Sequence, residues 1–181
     1  MRLKKNSHEV LVADEKIVRI GRPDIEALQV SFAESARGRS RICAHRGSSE
    51  ALHEMLIVLA RTTYIRPHKH LAKCESFHII QGELDVVIFD NEGNIADVVQ
   101  MGEFDSRRYF YYRLVDPLFH TVIVRSESVI FHETTNGPFK REDTVFAPWS
   151  PAESGTGAVA DYVGRLDDAI TKFFAAGGLR T

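Results

Sequence analysis

Between residues 53 and 135 the chain is a succession of short β-type runs with turn chemistry between them and no helical period. HEMLIVLARTTYI (His53–Ile65), FHII, ELDVVIFD, NIADVV, RRYFYYRLV, LFHTVIV and SVIFHET are rich in branched and aromatic residues. They are broken at Gln81-Gly82-Glu83, at the hairpin signal Asn91-Glu92-Gly93-Asn94, at Asp116-Pro117 and at Arg125-Ser126, and Asn136-Gly137-Pro138 is a firm stop. Strands this short and this closely spaced, without helices between them, bury their apolar faces by closing into a sandwich or a barrel.

Helical periods appear only toward the ends. In PDIEALQVSFAESARG, Pro23 suits the first helical position, Asp24 and Glu26 suit the positive end of the helix dipole, Ile25, Leu28 and Phe32 share a face, and Gly38 is the expected stop. In AVADYVGRLDDAITKFFAAGG, an apolar stripe of Val159, Tyr162, Val163, Leu166, Ile170, Phe173 and Phe174 runs to a stop at Gly177, which predicts an amphipathic helix packed on the β core. The expected chain is mainly β, a barrel flanked by an N-terminal helical segment and a C-terminal amphipathic helix. At 181 residues it suits a single domain: 1–47 a helix-and-strand cap, 48–150 the barrel, 151–181 the C-terminal helix.

A net charge of -2 lacks the basic excess of nucleic-acid binders, so no nucleic-acid partner is expected. The basic N-terminus has no apolar run behind it and no stretch reaches membrane-spanning length, which points to the cytoplasm and to no membrane partner. Cys43 and Cys74 suit two free thiols in a reducing compartment.

The chemistry concentrates in RPHKHLAKCESF. Side chains alternate along a strand, so His68 and His70 face the same side while Lys69 points away. A turn through LAKC returns Glu75 to that side, so one hairpin supplies two imidazoles and a carboxylate. A metal that does chemistry takes about three or four protein ligands and keeps an open position, and His120 in LFHTVIV is the best distant candidate for the fourth. His78 is out of phase with Glu75 and Phe77 and is expected to face away. Tyr109, Tyr111 and Tyr112 read as core or interface aromatics.

The spacing His68-x-His70, four residues, Glu75, six residues, Gly82 resembles the first signature motif of the cupin superfamily. The second motif, proline-x-glycine-x-x-histidine, is represented by PLFH, which keeps a proline and His120 but not the glycine. The order RSRICAHR, EMLIVLARTTYIRPHKH, HIIQGELDVVIFDNEG, PLFHTVIV, HETTNGPFK and FAPWSP is similar to the WbuC family of cupin-fold metalloproteins, from the first helix to Pro151. The resemblance implies a cupin barrel (double-stranded β-helix, jelly roll) holding one divalent ion per chain on His68, His70, Glu75 and His120. Zinc, iron, manganese and nickel are not distinguished by this ligand set. It also implies an association with bacterial O-antigen or other surface-polysaccharide genes.

Two functions follow. One is an enzyme, a metal-dependent isomerase or epimerase, lyase or dioxygenase, acting on a small carbohydrate-related or carboxylate substrate, with the ion as Lewis acid. The other is a non-catalytic module or sensor that holds a sugar or anion. In RSRICAHR, Arg41, Cys43 and His45 share one strand face, with Ile42 and Ala44 packing inward on the other. An arginine fork suits a carboxylate or phosphate and a histidine can shuttle a proton, so an anionic or sugar-like ligand is expected between Arg41, His45 and the ion. His132 and Glu133 either support the metal's ligands or close the last strand. The aromatic run RRYFYYRLV suits a homodimer contact.

Overall fold

The computed structural model describes residues 2–178. The first strands, β1 (Leu3–Lys5) and β2 (Val10–Ala13), precede helix α1 (Arg22–Ala33). There follow β3 (Arg39–Cys43), β4 (Leu52–Ala60), β5 (His68–His70), β6 (Glu75–Gln81), β7 (Leu84–Phe89), β8 (Ile95–Met101) and β9 (Tyr111–Leu114). The chain continues through β10 (Phe119–Val124), β11 (Ser128–Asn136) and β12 (Thr144–Phe146) to helix α2 (Thr156–Ala175). The strands make a seven-stranded sheet, ordered β1-β2-β3-β4-β11-β6-β9, and a five-stranded sheet, ordered β12-β5-β10-β7-β8. From β4 onward the chain changes sheet at every connection except the β7–β8 hairpin, and the result is a jelly roll.

Three apolar layers hold it together. Between the sheets lie Phe77, Ile79, Leu84, Val86, Met101, Val122, Val129 and Phe131. Outside the larger sheet, α1 packs Leu28, Ile25 and Phe32 on Ile42, Val58 and Ile130. Outside the smaller sheet, α2 packs Leu166 and Ile170 on Val87, Phe89 and Val98. Covered on both faces, β7 is buried along its whole length, and for this reason LDVVIF reads as a continuous apolar run. Its one charge, Asp85, is 1% exposed and accepts hydrogen bonds from Arg125 Nε at 2.7 Å and Arg108 at 3.3 Å. Arg125 also donates to Asp167 of α2 at 2.6 Å, tying the helix down.

Several local expectations change. Helix α1 stops at Ala33, short of Gly38, because the Ser35 hydroxyl accepts from the backbone N–H of Arg37 and Arg39 and turns the chain first. β1, β2 and β12 carried no recognised sequence signal; each has three or four residues and is defined by the strand beside it. RRYFYYRLV contributes only β9 and an isolated bridge at Tyr109. The turn after β6 carries the chain between sheets at Gly82, whose φ is +85°, and a Cβ there would stand 2.4 Å from the Ser128 carbonyl oxygen. Among the described residues no helix is long and apolar enough to cross a membrane.

Candidate functional site

Three histidines meet on the inner face of the smaller sheet. Alternation along β5 turns His68 and His70 inward and Lys69 outward, where its Nζ lies 4.5 Å from the centroid of the Phe119 ring. His120 on β10 stands directly opposite His68 in the antiparallel register. The ring centroids are 4.9 Å apart for His68 and His70, 4.6 Å for His68 and His120, and 5.8 Å for His70 and His120. One nitrogen from each lies within 4.8 Å of the others.

The outer nitrogens of these rings are already engaged. His68 Nδ1 donates to the Arg66 carbonyl at 2.8 Å and His120 Nδ1 to the Leu118 carbonyl at 3.0 Å. The Thr144 hydroxyl meets His70 Nδ1 at 3.2 Å. A carbonyl can only accept, so His68 and His120 each carry a proton on Nδ1, the arrangement that assigns Nε2 to a metal in metal-binding histidines.

Glu75 enters from the other sheet. The expectation of one hairpin carrying His68, His70 and Glu75 is corrected here: residues 71–74 cross from the smaller sheet at β5 to the larger sheet at β6, so Glu75 approaches across the barrel interior. Its Oε1 lies 3.0 Å from His120 Nε2 and its Oε2 3.6 Å from His70 Nε2. It thus adjoins two of the three imidazoles, while the set of mutually close nitrogens consists of the histidines alone. Two residues missed in the sequence brace this crossing. Asn136 Oδ1 accepts from the Cys74 N–H at 2.8 Å and its Nδ2 donates to the Ala72 carbonyl at 3.1 Å, while Thr135 Oγ1 donates to the Cys74 carbonyl at 2.9 Å. The sequence signal for them is the run of short polar residues that ends an apolar strand in HETTNG.

Electrostatics match a site prepared for a cation. Burial pushes His68 down to about 4, with the neighbouring His120 charge as the next cause, so its imidazole is neutral at pH 7. His120 is held above its ordinary value by the Glu75 carboxylate, which outweighs burial. Glu75 is held well below the carboxylate range by His120 and His70, against the opposing effect of burial. Glu75 Oε1 is buried and without a hydrogen-bond partner. An orphaned carboxylate oxygen beside three convergent imidazole nitrogens fits a divalent metal ion of the borderline class.

The remaining candidates divide by strand phase. Arg41 and Cys43 pair with Ile57 and Met55, and those residues pair with Phe131 and Glu133, so all six face the barrel interior. Ile42 packs outward beneath α1, on the sheet's other apolar face. Arg41 is exposed at the cavity's edge, and its charge reaches Cys43 and Glu133. His45 lies beyond the end of β3, bonds the Glu54 backbone through Nδ1 at 3.2 Å, and stacks on the buried His53 ring at 4.1 Å. Glu133 faces inward. His132 faces outward, pairing with His78 in register and lying 3.7 Å from Glu54 Oε1. Tyr112 is buried on the inner face with an unpartnered hydroxyl, whereas Tyr109 and Tyr111 are exposed. Two open grooves, about 270 Å³ beside α2 and about 280 Å³ beside α1, lie on the outer faces and are not lined by the histidines.

The chain matches a family described as a domain of unknown function, DUF6016, over residues 20–101, a span that includes His68, His70 and Glu75 but ends before His120. No curated protein matches. A Shewanella oneidensis protein of known structure is similar with a TM-score of 0.52 at 12% identity, covering 70% of this chain and 85% of that one. A Cellulomonas parahominis L-ribose isomerase, solved with L-psicose, has a TM-score of 0.48 at 12% identity, covering 67% and 73%. The cupin domain of Schizosaccharomyces pombe Cnp3 has a TM-score of 0.42 at 13% identity, covering 55% and 64%. At 12% identity the likeness to the Shewanella oneidensis protein shows the fold alone, a two-sheet jelly-roll barrel as described above.

Proposed function

We propose that this cupin is a metal-dependent enzyme of the WbuC type, acting on a small anionic, carbohydrate-related substrate in bacterial surface-polysaccharide metabolism. The observation that carries this reading is the convergence of the three imidazoles with their outer nitrogens engaged elsewhere. His68, His70 and His120 would hold one divalent ion, with Glu75 as the carboxylate ligand. Such an ion supplies Lewis acidity to a bound oxygen. The chain's own residues do the rest. The Nδ1 hydrogen bonds fix ring orientation, Thr135 and Asn136 fix the turn that delivers Glu75, and the apolar wall of Phe77 and Phe131 restricts water. Arg41 supplies a cation at the cavity edge for a carboxylate or phosphate, and His45 Nε2 is the nitrogen left to a ligand there.

The test is elemental analysis of the wild type and of His120→Ala, followed by a turnover screen against nucleotide sugars and small sugar acids. About one ion per wild-type chain and little in the variant is the expected result. Equal content in both, or none in either after supplementation with zinc, iron, manganese and nickel, refutes the metal site. Metal with bound ligand but no turnover moves the reading to a binding module.

The exposed aromatics Phe104, Tyr109, Phe110 and Tyr111, beside the edge strand β9, are proposed to pair two copies of the chain. A monomer mass by light scattering over a broad concentration range refutes this.

A further inference from the structure

One interior carboxylate holds nothing together. Glu133 stands on β11 between Met55 of β4 and Phe77 of β6, both buried, in the phase that also turns Phe131 inward. Positions inside a sheet sandwich are ordinarily apolar, because a carboxylate there loses hydration and needs partners in exchange. Among the described residues the Glu133 side chain makes neither a hydrogen bond nor an ion pair. It is half-buried.

Its surroundings have two signs. The Glu75 charge opposes its ionisation, and Arg41, His120 and Lys73 favour it. In the metal-free chain burial and then the Glu75 charge push its carboxyl up to about 8, while Arg41, His120 and Lys73 pull it back; a divalent ion beside Glu75 would offset that charge and favour the ionised form, the one a ligand would meet. Arg41, paired with Ile57, shares the inner face of the larger sheet with Glu133, paired with Met55, so a ligand reaching from the histidine cluster toward Arg41 crosses the face that carries Glu133. What an unpartnered carboxylate needs from such a ligand is a hydrogen-bond donor. A plain carboxylate brings only a second negative charge, whereas a hydroxyl beside a carboxylate brings a donor as well.

We propose that Glu133 is a ligand-contacting residue and that the ligand is a small hydroxy acid, its carboxylate directed to Arg41 and Lys73 and its hydroxyl donating to the Glu133 carboxylate. The assignment rests on the metal-dependent reading above and names the substrate class of that same site. Should the hydroxyl proton transfer, it goes to a Glu133 oxygen, the O–H electron pair stays on the ligand oxygen, and no further reactant is needed.

The test uses cobalt-loaded protein titrated with glycolate and with acetate, the same acid without the hydroxyl, followed by visible absorption. Wild type is expected to prefer glycolate by about tenfold or more, and Glu133→Leu to bring that ratio close to one with cobalt content unchanged; Glu133→Gln, which keeps a carbonyl acceptor, is expected to fall between. Using the ratio cancels the general effect of removing a negative charge. Thermal melting of the metal-free proteins supplies the second readout: Glu133→Leu is expected to melt at or above the wild-type temperature at pH 8, whereas a structural role lowers it. A ratio unchanged by Glu133→Leu, a wild type that does not discriminate, or a folded Glu133→Leu that has lost its cobalt overturns the assignment. A wild type that takes up no metal overturns the metal reading and this with it; one that binds cobalt with an unchanged ratio overturns this alone.

Discussion

Glu75 Oε1 lies 3.0 Å from His120 Nε2, close enough for a charged hydrogen bond, yet it is a buried oxygen with no aligned hydrogen-bond partner. That is the disposition expected of two ligands to one ion, as proposed above. Such an ion binds the folded chain and not the unfolded one, so it stabilises by mass action, about 4 kcal/mol at a thousandfold excess over its Kd. Chelator treatment is expected to lower the melting temperature by several degrees, and restoring the metal to recover it. Identical scans with and without chelator on metal-loaded protein speak against the site.

Two of the shifted groups, His68 and Glu133, give the metal-free protein opposing pH dependences. His68 has a folded-state value near 4 against an ordinary 6.5, so the unfolded chain binds the extra proton between those limits and stability is lost as pH falls through them. Glu133 is raised from 4.5 to about 8, so there the folded chain binds the extra proton and stability is lost as pH rises. Single variants separate the two. In chelator, Glu133→Gln is expected to lose stability on acidification from about 6.5 to about 4, and His68→Gln on alkalinisation from about 4.5 to about 8. Melting temperatures across pH 4 to 8 check both signs, and parallel profiles for the two variants contradict them.

Gly82→Ala is expected to cost about 2–4 kcal/mol, because it combines an unfavourable positive φ with a Cβ pressed against backbone. Chemical denaturation gives the value, and a loss below about 0.5 kcal/mol shows that the β6–β7 crossover tolerates the side chain.

The anchor of α2 is asymmetric. Asp85 is 2% exposed at its side chain and Asp167 is 45% exposed, although both bind Arg125. Asp85→Ala removes the buried carboxylate on which Arg125 and Arg108 converge and leaves them only their more exposed partners Asp167 and Glu83, which is expected to cost about 3 kcal/mol, whereas Asp167→Ala is expected to cost under about 1 kcal/mol. Equal losses in the two variants refute the burial argument.

The sequence by itself determined what depends on neighbours along the chain. Period-two alternation put His68 and His70 on one side and His78 on the other, the apolar stripe from Tyr162 to Phe174 specified α2, and Asn91-Glu92-Gly93-Asn94 specified the β7–β8 hairpin. Tertiary structure decided everything that depends on which sheet a strand joins. Residues 71–74 can close a hairpin or cross a sandwich with the same local chemistry, and only the pairing of Thr135 with Glu75 on β11 commits them to crossing. The three-residue strands are likewise too short to carry a period of their own, so β12 exists because β5 offers it an edge. Phase could separate Glu133 from His132, but not say which side was the interior, since both faces of the larger sheet are covered, one by the second sheet and one by α1. Where both faces are apolar, alternation loses its meaning as a direction, and only the packing of one layer on another restores it.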